Sequence, residues 1–143
     1  MKIVMDTSVL FSALYSKRGA PFEILRWIGL RKLTLNITVP VFLEYQDVLL
    51  RPGSLDGLGL TSDDIAAVLD MLVLVGDQVR ISYLMRPNLP DEGDNIFIEC
   101  AFVGQADYLL TNNLRDFLRG EWMFPFKICT PQEFYREWRQ EYE

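Results

Sequence analysis

The chain has 143 residues, half of them hydrophobic, and a formal charge of −6 from 20 acidic and 14 basic residues. This length predicts one domain, residues 1–143, with a hydrophobic core of its own. The sequence contains no histidine, which excludes histidine-based triads, zinc sites with histidine ligands and imidazole acid–base catalysis. It also lacks the basic excess of non-specific nucleic-acid binders, although an acidic site that binds cations can still attract an anionic substrate.

The cysteines and the N-terminus bear on the cellular compartment. Cys100 and Cys129 lie far apart in apolar segments, without metal-ligand spacing, and we interpret them as buried thiols in a reducing compartment. The N-terminus lacks a signal-peptide pattern, and no apolar run has the length of a membrane span. We therefore expect a cytoplasmic protein.

The first fifteen residues join a strand to a helix. Residues 3–5 form a short apolar run typical of a buried strand, and apolar residues then recur at helical spacing from Val9 to Leu14. Asp6 would lie at the carboxyl end of the strand, with Thr7 or Ser8 capping the helix. Open α/β sheets place their sites there. An isolated aspartate in this position is about as often a simple turn or cap residue as a functional one.

The remaining elements alternate between strands and helices. Further strands are predicted over 33–39, 79–83, 106–111 and 126–129. Helices are predicted from about Pro21, over 41–49, over 65–75 after a capping box at Thr61–Asp64, over 94–103 with Asp94 as N-cap, and from Pro131. Residues 52–60 show no clear element, and residues 84–93 are predicted as a loop. The alternation predicts an α/β fold with a central, mostly parallel sheet and helices on both faces.

The helix over 65–75 is apolar around most of its circumference, more than one buried face requires. A central packing helix explains this pattern. A homodimer or partner surface is the alternative.

The predicted topology brings four acids toward one edge of the sheet. Asp6 and Asp116 follow strands, Glu44 begins the helix after the second strand, and Asp94 begins a helix that leads into another strand. Clustered carboxylates repel one another unless cations bind, so the cluster predicts a site for Mg²⁺ or Mn²⁺, the ions of phosphodiester hydrolysis. Each acid alone is more often a solvated, capping or turn residue.

The chain resembles the PIN-domain ribonucleases over nearly its whole length, in particular the VapC-like toxins of toxin–antitoxin systems. The resemblance rests on five motifs, over residues 5–10, 44–52, 94–101, 106–113 and 115–117, and on the closing segment 130–134. It implies a three-layer α/β/α fold and a dependence on Mg²⁺ or Mn²⁺.

The family's acidic site carries over as Asp6, Glu44, Asp94 and Asp116, the catalytic and metal-binding acids that the resemblance implies. Thr111 matches the family's hydroxyl beside the metal, and Ser8 or Asn113 would hold a water or an acid. Many relatives have Thr-Gly-Asp after this strand, whereas this chain has Asn112 and Asn113. The fourth acid is therefore Asp116, with Asp91 and Glu92 as alternatives near Asp94.

The resemblance implies an endoribonuclease that leaves a 5′-phosphate and a 3′-hydroxyl, acts as a homodimer and is inhibited by a small antitoxin. The arginines near the site in sequence are candidates to contact RNA phosphates: Arg51, Arg86, Arg115 and Arg119. A haloacid-dehalogenase phosphatase requires a second aspartate where this chain has Ser8, and the acid pattern of a receiver domain is absent. The remaining alternative is a PIN-like module that binds RNA or protein with weak or no catalysis.

Overall fold

The computed structural model describes residues 1–81, 92–117 and 124–143, and of residues 92–95 only the main chain. Five strands lie at β1 Lys2–Met5, β2 Thr34–Ile37, β3 Asp77–Gln78, β4 Tyr108–Leu110 and β5 Lys127–Cys129. Eight helices are described, at α1 Thr7–Tyr15, α2 Ala20–Gly29, α3 Val39–Leu49, α4 Pro52–Leu58, α5 Ser62–Val75, α6 Glu92–Val103, α7 Leu114–Phe117 and α8 Pro131–Tyr142.

The strands form one sheet in the order β3-β2-β1-β4-β5, and every pairing is parallel. Because β1 is central and pairs with both β2 and β4, its carboxyl end lies between the carboxyl ends of two neighbours. Helices cover both faces of the sheet, so the predicted three-layer α/β/α fold is confirmed.

The core lies between the sheet and the helices. β1 and β4 are short apolar runs whose central residues are buried on both faces, as parallel strands require. Aromatic contacts join the last helix, α8, to α2. The centroid of the Trp27 ring lies 5.4 Å from that of Tyr135 and 5.3 Å from that of Tyr142. Both cysteines are buried, as predicted. Within the described part of the chain, no helix is both long and apolar enough to cross a membrane.

The third strand was predicted in the wrong place. Residues 79–81 are not in a strand, whereas Asp77 and Gln78 pair with the last residues of β2. The residues after Gln78 favour a strand by composition, but β2 ends at Ile37 and Thr38 already caps α3. The neighbouring strand therefore offers few residues for them to pair with. Residues 82 and 83 of that prediction lie outside the described residues.

The segment 52–60 was wrongly predicted to lack structure. Pro52 begins α4, and Gly59 ends it in the left-handed conformation with φ of 67°. This conformation strains any residue with a Cβ, which explains a glycine there. Leu55 and Leu58 pack against the core and compensate for the weak helix propensity of the helix's own glycines.

Three predicted helix starts also need correction. Asp6 itself caps α1, in place of Thr7 or Ser8. Pro40, predicted as the end of a strand, lies in the first turn of α3, where its missing N–H costs no hydrogen bond. The helix α6 begins at Glu92, so Asp94 is its third residue and not its N-cap. The two capping boxes, at Thr61 and Thr130, are as the sequence indicates, although only the first was predicted as such.

Candidate active site

Asp6 is a buried carboxylate at the junction of β1 and α1. The residue is only 4% exposed. One oxygen, Oδ1, accepts hydrogen bonds from the Ser8 hydroxyl at 2.6 Å and from the Val9 amide at 3.0 Å. The other, Oδ2, accepts one from the Thr111 hydroxyl. Residues that follow two adjacent strands therefore meet at this carboxylate.

The pKa of Asp6 is raised above its ordinary value, chiefly because burial removes the carboxylate from water. The hydrogen bonds from Ser8, Thr111 and Val9 act in the opposite direction, because each stabilises the ionised form. Ionised Asp6 is thus held in place by donors but is poorly solvated. A cation beside it would favour the ionised form.

Thr111 connects this carboxylate to the segment after β4. Thr111 is fully buried, and its amide donates to the Cys129 carbonyl at 3.0 Å, which fixes it at the end of the sheet. Its hydroxyl oxygen accepts a hydrogen bond from the Asn113 amide at 2.9 Å while its proton goes to Asp6. Asn113 thus contributes its main chain to this cluster.

Asn112 fastens the same segment to α1. Its side-chain amide donates to the Ser8 carbonyl and to the Ser12 hydroxyl, both at 3.2 Å. In the sequence this asparagine is only a departure from the family's pattern. In the structure it links the end of β4 to the helix that Asp6 caps.

The helix α3 contacts the end of β1 through Tyr45. This side chain is fully buried, and its hydroxyl donates to the Met5 carbonyl at 2.6 Å. Burial raises the pKa of Tyr45 well above its ordinary value, so it stays a neutral donor. Sequence reasoning gave Tyr45 no role, although its spacing from Val41 and Leu49 marks the buried face of α3. Glu44, the residue before it, is half-buried in the second turn.

Of the four predicted acids, the structure describes the side chains of Asp6, Glu44 and Asp116. Asp116 is half-buried in α7, and its amide donates to the Asn113 carbonyl at 3.0 Å. Among the described side chains, no three histidine, cysteine, aspartate or glutamate residues lie close enough to hold a metal ion. The Asp94 and Glu92 side chains and all of Asp91 lie outside the described residues.

Of the predicted RNA-contacting arginines, two are described. Arg51 is exposed and forms an ion pair with Asp47 at 2.8 Å, and Arg115 is exposed on α7. Arg86 and Arg119 lie outside the described residues.

A family model described as the PIN domain matches residues 2–115 of the chain. The matched region contains Asp6, Glu44 and Asp94 and ends one residue before Asp116. The fold is similar to that of a chain in the crystal structure of VapBC2 from Rickettsia felis bound to a DNA fragment from their promoter, with a TM-score of 0.58 and 17% identity. The alignment covers 90% of this chain and 97% of that chain, and at this identity it shows a shared fold. A comparison with curated proteins finds no significant match.

Proposed function

This chain belongs to the PIN-domain family, whose members are generally nucleases, and from this premise we propose that it is a metal-dependent endoribonuclease. The observation that carries the proposal is the group of Asp6, Ser8, Val9 and Thr111 at the carboxyl end of β1, here called the Asp6 cluster. Asp6 caps α1, but its burial raises the pKa in spite of three hydrogen bonds, so those bonds do not fully offset the cost of burying the charge. A nuclease uses such a carboxylate to hold a divalent cation.

The chemistry of the donors fits Mg²⁺ or Mn²⁺. An ionised carboxylate offers about four acceptor positions, and of the three hydrogen bonds to Asp6, Oδ1 accepts two while Oδ2 accepts one. We propose that Asp6 and Asp94 are the main ligands and that Glu44 and Asp116 complete the site, directly or through water. When bound, the ion supplies Lewis acidity that activates water and offsets charge at the phosphate.

The protein's own contribution is to position the carboxylates. Ser8 and Thr111 fix the two oxygens of Asp6, and Asn112 keeps the segment after β4 against α1. No side-chain nucleophile is needed if water attacks the phosphodiester. Arg51 and Arg115, with Arg86 and Arg119, are proposed to contact RNA phosphates, and the products would carry a 5′-phosphate and a 3′-hydroxyl.

The test is cleavage of a labelled, mixed RNA pool by the purified protein with Mn²⁺, with Mg²⁺ and with EDTA. We expect cleavage that needs a divalent ion and is lost in Asp6→Asn and Asp94→Asn. Asp70→Asn is the matched control, because Asp70 is an exposed aspartate on α5. Cleavage that survives in EDTA or in both site variants contradicts the proposal. Inert wild-type protein that still binds RNA supports the alternative of a non-catalytic binding module.

We further propose that the chain is a VapC-like toxin with a small antitoxin and forms a homodimer, as one domain over residues 1–143 in the cytoplasm. The similarity to a chain of the VapBC2 complex supports this assignment. The apolar surface of α5 supports a partner, since Ile65, Leu69 and Leu72 are buried while Leu74 is 74% exposed. Light scattering of the protein, alone and co-expressed with the product of a neighbouring short gene, tests both points. A monomer with no stable complex contradicts them.

A further inference from the structure

A cleft beside the candidate active site combines aromatic rings with polar groups. Its volume is about 310 Å³, and its walls are formed by α1, the α1–α2 loop and the starts of α2 and α8. The two rings in its lining, Phe11 and Tyr15, are stacked at 6.4 Å with an angle of 15°. Tyr15 is 68% exposed, so its ring is accessible to a ligand. Three polar side chains, Ser12, Ser16 and Gln132, complete the lining.

The cleft is directly connected to the Asp6 cluster. Asn112 donates both to the Ser8 carbonyl and to the Ser12 hydroxyl, so the residue after Thr111 touches the wall of the cleft. Ser12 lies one turn beyond Ser8, about 6 Å along the helix axis. The cleft therefore lies within the length of a few nucleotides from Asp6.

Two cations follow the cleft along the chain. Lys17 and Arg18 are both exposed in the loop after α1. Within the part of the chain that the structure describes, neither is paired with a carboxylate, in contrast to Arg26 and Arg51. In a protein with a net charge of −6, two adjacent unpaired cations form a local positive patch that suits phosphate groups.

We propose that this cleft, defined by Phe11, Ser12, Tyr15, Ser16 and Gln132, binds an unpaired base of the RNA substrate. The base stacks on the Tyr15 ring, because every base has a π-face that an exposed aromatic ring can cover. The Gln132 amide, which carries both donors and an acceptor, faces the edge of the base. Lys17 and Arg18 bind the adjacent phosphates. This inference rests on the proposed ribonuclease function and adds a base-binding subsite beside its active site.

The test measures binding without cleavage, with Asp6→Asn protein and short single-stranded RNAs that carry 2-aminopurine at one position at a time. We expect fluorescence quenching at one position. Tyr15→Ala abolishes this quenching and lowers RNA affinity by about 5- to 150-fold, the range for loss of one stacked base. Tyr15→Phe keeps the ring and stays close to the parent protein. Leu30→Ala, at a 54% exposed apolar residue just after α2, is the control for removal of surface apolar area.

The phosphate contacts are tested through the salt dependence of binding. The double variant Lys17→Gln/Arg18→Gln should flatten the slope of log affinity against log salt by about 1.4, since each cation that meets a single strand contributes about 0.7. The matched control, Arg31→Gln/Lys32→Gln, removes two adjacent exposed charges just before β2 and should leave the slope nearly unchanged.

The outcomes separate this inference from the proposed function. If the wild type cleaves RNA while Tyr15→Ala binds as the Leu30→Ala control does, the cleft proposal fails and the nuclease stands. If no cleavage occurs but binding depends on Tyr15, the nuclease fails and the cleft stands. Loss of binding to a protein partner in Tyr15→Ala, with RNA affinity unchanged, would assign the cleft to that partner and overturn the proposal.

Discussion

Thr111→Val is the most direct test of the Asp6 cluster. Valine has nearly the shape of threonine, so the change removes the hydroxyl while leaving little cavity. Two hydrogen bonds are lost, one donated to Asp6 and one accepted from the Asn113 amide. Asn113 is exposed, so its main-chain amide can donate to water instead of to residue 111. Asp6 is buried and loses one of its three donors without such a replacement.

The expected loss follows from that difference. A hydrogen bond to a charged group contributes about 1.5–3 kcal/mol to stability. We therefore expect the free energy of unfolding of Thr111→Val to be about 2 kcal/mol lower than that of the wild type at neutral pH in EDTA. This difference corresponds to a fall in Tm of roughly 4–8 °C for a chain of this size. The pKa of Asp6, already raised by burial, should rise further because a hydrogen bond that favours the ionised form is gone.

The assay is thermal unfolding with RNA cleavage measured in parallel. Thr34→Val is the control, because Thr34 lies half-buried in β2 and its hydroxyl makes no hydrogen bond within the described residues. Thr111→Ser keeps the hydroxyl and should retain more stability and more cleavage than Thr111→Val. If Thr111→Val and Thr34→Val melt together and cleave alike, the hydroxyl does not hold Asp6 and the reasoning fails.

Three further predictions concern parts of the chain away from the cluster. Gly104→Ala should lower the free energy of unfolding by about 1–3 kcal/mol, because the new Cβ would clash with the Asn36 side chain and the Cys100 carbonyl. A chemical denaturation curve with an unchanged midpoint would contradict this prediction. Glu133→Gln should lower Tm at pH 7. Hydrogen bonds from Thr130 lower the pKa of Glu133 in the folded state, so ionised Glu133 stabilises the fold at pH values above its ordinary pKa of 4.5. That Tm difference should fade as the pH falls through the lowered pKa, and a difference that persists in acid would refute the assignment. Burial raises the pKa of Cys100 to about 12, so an alkylating reagent at pH 8 should modify Cys100 only after denaturant is added, as mass mapping would show. Modification of native Cys100 within minutes would show that it is accessible.

Most of the fold was predictable because local patterns and tertiary packing agree. The apolar runs of β1 and β4 indicate buried parallel strands, and the structure has them at the centre of the sheet. The third strand was not predictable, since two residues pair only because β2 lies beside them. The helix α4 was missed for the opposite reason. Gly53 and Gly57 disfavour a helix locally, and packing against the core overrides that preference.

The candidate site was partly predictable for a related reason. Asp6 can be found from the change between strand and helix periodicity, which is local. The contacts that hold it are not local, since the Asn112 bond to Ser8 spans 104 residues and the Tyr45 bond to Met5 spans 40. No sequence period links such positions. Whether Glu44, Asp94 and Asp116 complete the site stays a prediction.

Asp6 caps α1 as well as lying at the proposed cation site, and this double use affects how loss of activity should be interpreted. Asparagine and serine are nearly as good as aspartate at an N-cap, whereas alanine costs about 1 kcal/mol there. An alanine variant therefore confounds catalysis with folding. A descendant of this chain that no longer cleaved RNA would still be selected for a capping side chain at position 6. An aspartate retained at this position in such a descendant would consequently be weak evidence of activity.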